Sequence, residues 1–109
     1  MQEEKSPAVY MLANKKDGVI YIGVTSALWN RVATHKDAGI RGFTHRYNVH
    51  NFVWYEHHHS MEAAIRREKQ LKKWNRAWKI ELIDKFNSQW RDLHDEIDFV
   101  GTLVELHNE

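Results

Sequence analysis

Glu68 stands where a carboxylate is least expected. Between Met61 and Lys73, at 100° per residue, Met61, Ala64, Ile65 and Leu71 share one side of a helix, and Glu68 projects into the middle of that apolar stripe. A carboxylate there is costly unless it is paired, hydrogen-bonded or bound to a cation. Two readings stay open: a structural ion pair, or a metal ligand or catalytic group. Arg31 and His35 form a second pair of reactive groups. Four residues apart, they lie one helical turn apart on the same side, at the border of a buried stripe, where cleft walls are built. Third, Tyr10 and Tyr21 each stand among aliphatic neighbours in two short runs, AVYMLA and VIYIGV.

The elements that must position these groups follow from local pattern. The two tyrosine runs flank KKDG and read as a β-hairpin, since Gly18 tolerates the backbone of a tight turn. With a loop of Asp17-Gly18, or of Lys15 to Gly18, side-chain alternation puts Val9, Met11 and Ala13 on one face with Ile20, Ile22 and Val24. The other face then carries Tyr10, Leu12, Tyr21 and Gly23, with the tyrosines near-neighbours and the glycine expected to leave open space above the sheet. A one-residue slip would separate the phenols.

A first helix is predicted from about Ala27 to Lys36, with Thr25 or Ser26 as N-cap and Leu28, Trp29, Val32 and Ala33 buried. The polar segment IRGFTHRYNVH reads as an ordered loop before a third strand, NFVWYE. Ser60 caps a second helix, a break falls near Asn75, and RAWKIELIDKF forms a third. A further short helix is expected in SQWRDLHDEI, capped by Ser88, and Trp54, Trp74 and Trp78 are expected in the core. The order ββαβαα implies an α/β (α+β) fold: a small, mostly antiparallel three-stranded sheet flanked by helices.

A chain of 109 residues makes one domain with a real core, and the absence of cysteine excludes disulfides and thiolate metal sites. No run approaches the roughly 18 apolar residues that span a membrane, and the N-terminus lacks the apolar segment of a signal peptide, so a cytoplasmic protein is expected. The formal net charge of +1 conceals a division: all 16 Lys and Arg precede residue 92, while the remainder carries acids and neither Lys nor Arg. We therefore expect a basic domain over residues 1–93 and an acidic tail over residues 94–109. A basic body is the footprint of a polyanion binder. The run His57 to His59 points to no metal centre, because adjacent side chains on a strand face opposite ways.

The order AVY, then YIG after ten intervening residues, Arg31, His35 one turn later and Glu68 in the following helix resembles the GIY-YIG nuclease superfamily. More narrowly, IYIGVTS, GFTHRYNV, WYE, REKQLKKW and WKIELI resemble its small single-domain bacterial members. The resemblance implies a divalent-metal-dependent phosphodiesterase with Tyr10, Tyr21, Gly23, Arg31, His35, Glu68 and Asn87 lining one site. Glu68 would bind Mg²⁺ or Mn²⁺, and Arg31 would hold the scissile phosphate. Tyr21 would orient the attacking water and serve as base, with Tyr10 in the same network. A phenol is a weak base at neutral pH, so that role needs a neighbouring cation, and His35 is the alternative proton acceptor.

Two departures from the pattern stand out: Ala8-Val9 in place of Gly-Ile, and Val24 where some members carry a lysine. The loop with Arg41, Thr44, His45, Arg46 and Tyr47 has the charge and aromatic content of a nucleic-acid contact surface. DNA is the expected partner, single-stranded in preference, since so small a domain has little surface with which to grip and bend a duplex. The rival expectations are a non-catalytic nucleic-acid-binding module that keeps the nuclease fold, and a protein whose basic surface meets an acidic partner.

Overall fold

A computed structural model describes residues 6–36 and 49–96, with the side chains of residues 33–36 and 95 outside that description. The loop from Arg41 to Tyr47 and the chain from residue 97 onward also lie outside it.

The hairpin forms as side-chain alternation requires. Strands β1 (Ala8–Ala13) and β2 (Ile20–Thr25) are antiparallel, with Tyr10 opposite Gly23 and Leu12 opposite Tyr21. The four-residue loop is the one observed. The Asn14 N–H donates to the Val19 carbonyl (3.3 Å), closing a turn in which the Gly18 N–H donates to the Lys15 carbonyl (2.9 Å). Asn14 Oδ1 also accepts the Val19 N–H (2.8 Å), and Asp17 takes a left-handed backbone (φ 61°), which Asp tolerates better than most residues.

β3 (Asn51–His57) pairs antiparallel with β1 on its far side, giving the strand order β2-β1-β3. The pairing shifts between Met11 and Leu12: Met11 opposes Trp54, and Leu12 opposes Phe52. A β-bulge at Val53 is the result, two residues of β3 standing against one step of β1. It sends Phe52 and Tyr55 to one face of the sheet and Val53 and Trp54 to the other.

Both faces are covered. Helix α1 (Leu28–Lys36) buries Leu28 and Val32 against Tyr10, Leu12, Phe52 and Tyr55. Helices α2 (Met61–Lys73) and α3 (Arg76–Phe86) bury Ala64, Leu71 and Ile83 against Val9, Met11, Ile22 and Trp54. Each such aliphatic side chain contributes about 1.5–3 kcal/mol when fully buried. The expected open space on the tyrosine face is therefore filled, by α1 and by Tyr10 itself.

The helix boundaries obey their caps. Ser60 Oγ accepts the Ala63 N–H (3.1 Å) to start α2, and Asn75 Oδ1 accepts the Trp78 N–H (2.9 Å) to start α3 immediately after α2 ends. Thr25 Oγ1 accepts the Ala27 N–H (3.0 Å) ahead of α1. Arg76 anchors α3 to the hairpin by donating to the Asp17 and Gly18 carbonyls.

The helix expected from Ser88 does not form. Asn87 clasps the chain instead, its Oδ1 accepting the Arg91 N–H (3.1 Å) while Nδ2 donates to the Arg91 carbonyl (2.8 Å). That closure turns Trp90 inward, buried with a left-handed backbone (φ 55°), its indole N–H donated to Asp84 (2.7 Å). Leu93 is buried with its N–H on the Phe52 carbonyl, and His94 to Glu96 form a short 3-10 helix with the His94 ring 5.5 Å from that of Trp29.

Candidate active site

The site begins at the centre of the sheet. Tyr10 lies on the middle strand, and its ring leans across to β2, where a Cβ on residue 23 would stand 2.4 Å from the Tyr10 hydroxyl oxygen. Only glycine leaves room for that ring. The Tyr10 and Tyr21 rings lie 6.3 Å apart and tilted by 49°. Their exposures differ: Tyr10 is 2% exposed, while Tyr21 on the outer strand is half-buried. Tyr21 thus carries the hydroxyl closer to solvent, and Tyr10 supports it from beneath.

The electrostatics join four of the expected residues. Burial first, and the neighbouring Tyr21 second, drive the Tyr10 phenol well above its ordinary ionisation range. Arg31 pulls in the opposite direction, and a hydrogen bond to Tyr21 and the charge of Glu68 add to the upward push. Tyr10 therefore stays protonated at neutral pH, hydrogen-bonded to Tyr21 and under the influence of the charges of both Arg31 and Glu68.

Arg31 sits in the first turns of α1, its N–H bonded to the Ala27 carbonyl (3.0 Å) and its side chain exposed. It borders a hollow with Thr25, Ser26, Ala27 and Asn30. Glu68 approaches from α2, the helix that packs across β2 and β1. It lies on the flank of the stripe buried by Ala64 and Leu71, its side chain only 14% exposed and paired with Lys72 (2.8 Å). Ile65, expected in the same stripe, is instead exposed. The costly carboxylate thus has a partner, one that sequence reasoning passed over although a Glu followed four residues later by Lys is a legible helical pair.

Other expected residues lie elsewhere or outside the description. Asn87 donates its second Nδ2 hydrogen to the Val53 carbonyl of β3 (3.1 Å), so every hydrogen of its amide is taken by backbone. β3 is the edge opposite Tyr21, about two strand spacings or roughly 9–10 Å away. In this geometry the Asn87 amide is engaged with the backbone of Val53 and Arg91. His35 belongs to α1, but its side chain is outside the described residues, as are Arg41, Thr44, His45, Arg46 and Tyr47. Of the histidine run, His58 contacts Glu56 (2.9 Å), which also accepts from Arg67 (2.9 Å). Trp78, expected in the core, is 54% exposed.

With this geometry in view, comparison with known families is decisive: the sequence matches the GIY-YIG catalytic domain over residues 6–81. The chain belongs to the GIY-YIG family. Comparison with curated proteins and with solved structures gives no match. The GIY-YIG domain is a nuclease domain, so the chain carries endonuclease machinery of this superfamily and nucleic acid is its substrate class. The three-stranded antiparallel sheet with its helices agrees with that fold. The matched span holds Tyr10, Tyr21, Gly23, Arg31, His35 and Glu68, and ends before Asn87. GIY-YIG nucleases are in general dependent on a divalent metal. Among the described residues no helix is long and apolar enough to cross a membrane.

Among the described residues no group of three or more His, Asp or Glu is placed to hold a metal ion, so Glu68 is a single carboxylate toward such a metal. Mg²⁺ and Mn²⁺ prefer hard oxygen ligands, and Mg²⁺ is commonly held by one or two carboxylates together with substrate phosphate and water. Glu68 offers one half-buried carboxylate that already neutralises a cation, Lys72.

Proposed function

We propose that this GIY-YIG chain is a divalent-metal-dependent endonuclease acting on DNA, with single strands as its preferred substrate. What supports the reading is the nuclease-domain match together with the Tyr10 and Tyr21 rings 6.3 Å apart beside Gly23, and a Tyr10 phenol that feels the charges of Arg31 and, from the helix on the other face of the sheet, Glu68.

Each group has a distinct task in phosphodiester hydrolysis. Arg31, exposed beside the start of α1, binds the scissile phosphate through its planar fork and offsets charge that builds on the phosphoryl oxygens. Tyr21, hydrogen-bonded to Tyr10, holds a water molecule in line with phosphorus. Tyr10 fixes Tyr21 in that orientation. Glu68 would be the protein ligand for Mg²⁺ or Mn²⁺, its carboxylate at present paired with Lys72. The bound cation supplies Lewis acidity toward the phosphate and favours ionisation of water. His35, one turn beyond Arg31, is the alternative proton acceptor in this scheme.

Incubating the protein with labelled single-stranded, duplex and branched DNA, with and without Mg²⁺ or Mn²⁺, tests the reading. Metal-dependent internal cleavage, fastest on the single strand, is expected. Binding without cleavage under every metal condition would instead assign the chain as a binding module.

A further inference from the structure

α3 carries a second apolar stripe that the core does not use. Trp78, Leu82 and Phe86 recur every four residues, yet Trp78 and Phe86 expose 54% and 49% of their surface, while Ile83 is the residue of α3 that is buried. Two hollows that share Leu82 and Lys85 run along this stripe, one closed by Trp74 and Trp78 and the other by Trp54 and Phe86. Two aromatic rings left half exposed along one helix face are candidates for contact with a partner.

The Trp74 and Trp78 rings meet edge to face at 5.7 Å and 89°, and the Arg67 guanidinium lies 5.4 Å from the centre of the Trp74 ring. The surrounding charge selects the occupant: residues 66–79 hold seven Lys and Arg against the single acid Glu68. The acids that border the groove are neutralised locally, Glu56 by Arg67 and Glu81 by Lys85. Of the seven cations Arg67 pairs with Glu56, Lys72 with Glu68, and Arg76 holds the hairpin carbonyls, so Arg66, Lys69, Lys73 and Lys79 are those that an apolar peptide, while burying the aromatic rings, would leave unused. A single-stranded nucleic acid alternates flat apolar rings with phosphates and uses both.

We propose that the junction of α2 and α3 is a second nucleic-acid contact, where an unpaired base stacks on Trp78 and the cations of α2 hold the flanking phosphates. The position suits a strand that also occupies the Glu68 edge. Glu68 on α2 and Trp74, the extended C-cap of that helix, are six residues apart, about 9 Å along the axis, with the exposed Lys69 and Lys73 between them. A strand of the roughly 4–16 nucleotides that a single-strand groove engages is longer than this separation and so can reach both.

This inference rests on DNA being the substrate, so the test reads binding separately from cleavage. Full-length protein carrying Glu68→Gln is titrated with fluorescein-labelled oligo-dT and with a duplex of equal length. Trp78→Ala is expected to weaken oligo-dT binding by about tenfold and duplex binding much less, while Trp78→Phe keeps most of the affinity. As a second variant clear of the core, Lys69→Glu with Lys73→Glu should lower affinity and flatten its salt dependence. Unchanged oligo-dT affinity in the folded variants overturns the proposal, as does equal weakening for the duplex, or no binding by the parent. A Trp78-dependent affinity in a protein whose wild type never cleaves DNA would uphold this contact and remove the nuclease reading. Cleavage with no Trp78 dependence of binding would do the reverse.

Discussion

Tyr10 occupies the space in which a side chain at residue 23 would begin. A Cβ on Gly23 would meet the Tyr10 hydroxyl oxygen at 2.4 Å, Cζ at 2.5 Å and Cε1 at 2.9 Å, all closer than real carbons approach. The glycine and the phenol are therefore one device, and the glycine's part is to let the ring lie flat against β2 and reach Tyr21. Gly23→Ala should displace the ring, destabilise the fold by about 1–3 kcal/mol and suppress cleavage even at temperatures where the protein stays folded. Chemical denaturation and a cleavage assay check both halves. In a Tyr10→Leu background the added methyl should cost less than it does in the wild type, which a double-mutant cycle measures.

Asn87 makes the opposite prediction. Its amide holds Val53 of β3 and both backbone polar groups of Arg91, so Asn87→Ala strands buried donors and acceptors. Stability should fall by about 1–3 kcal/mol or more, while the turnover of molecules that remain folded changes little. A large loss of turnover at unchanged stability would assign it a catalytic role.

The hairpin, the caps and the anomalous carboxylate were legible because each rests on local physics. Strict alternation on both sides of KKDG admits one register that buries a whole face, and Ser60 and Asn75 stand at helix starts with side chains that cap them. Three features were not legible. The bulge at Val53 breaks alternation by one residue without any glycine to announce it. Trp78 and Ile83 mark two apolar sides of α3, and only tertiary packing decides which one meets the sheet. The turn at Asn87 sets side-chain bonds from one residue against the helical tendency of SQWRDL, and those bonds prevail.

The burial of Tyr10 has a pH signature. Its phenol ionises far more readily in the unfolded chain than in the fold, where burial, Tyr21 and Glu68 hold it neutral. A pKa raised by folding gives stability that is fully present below the unfolded value, about 10, and is lost as pH rises above it. Thermal midpoints followed from pH 8 to 11.5 should fall steeply in the upper part of that range for the wild type and less steeply for Tyr10→Phe. Parallel curves for the two proteins would contradict the assignment.

The acidic tail beyond residue 96 offers a separate test. Its charge opposes that of the basic domain, and we propose that it competes with DNA for the same cations, reducing the counterion release that drives binding. Ending the chain after Glu96 keeps the buried Leu93 and the Arg91–Glu96 ion pair. The shortened protein should bind DNA more tightly, with a steeper salt dependence. Equal affinities and equal salt slopes would reject competition by the tail.

Glu68 bears the central claim, because among the described residues it is the carboxylate whose charge reaches Tyr10, and it is the group assigned to hold metal. The most direct measurement is the rate of Mg²⁺- or Mn²⁺-dependent cleavage of single-stranded DNA by the wild type and by Glu68→Gln, with circular dichroism confirming that both are folded. The account predicts metal-dependent cleavage by the wild type and a loss of about 100-fold or more in the variant. Cleavage by Glu68→Gln at the wild-type rate, with the same metal dependence, would contradict it.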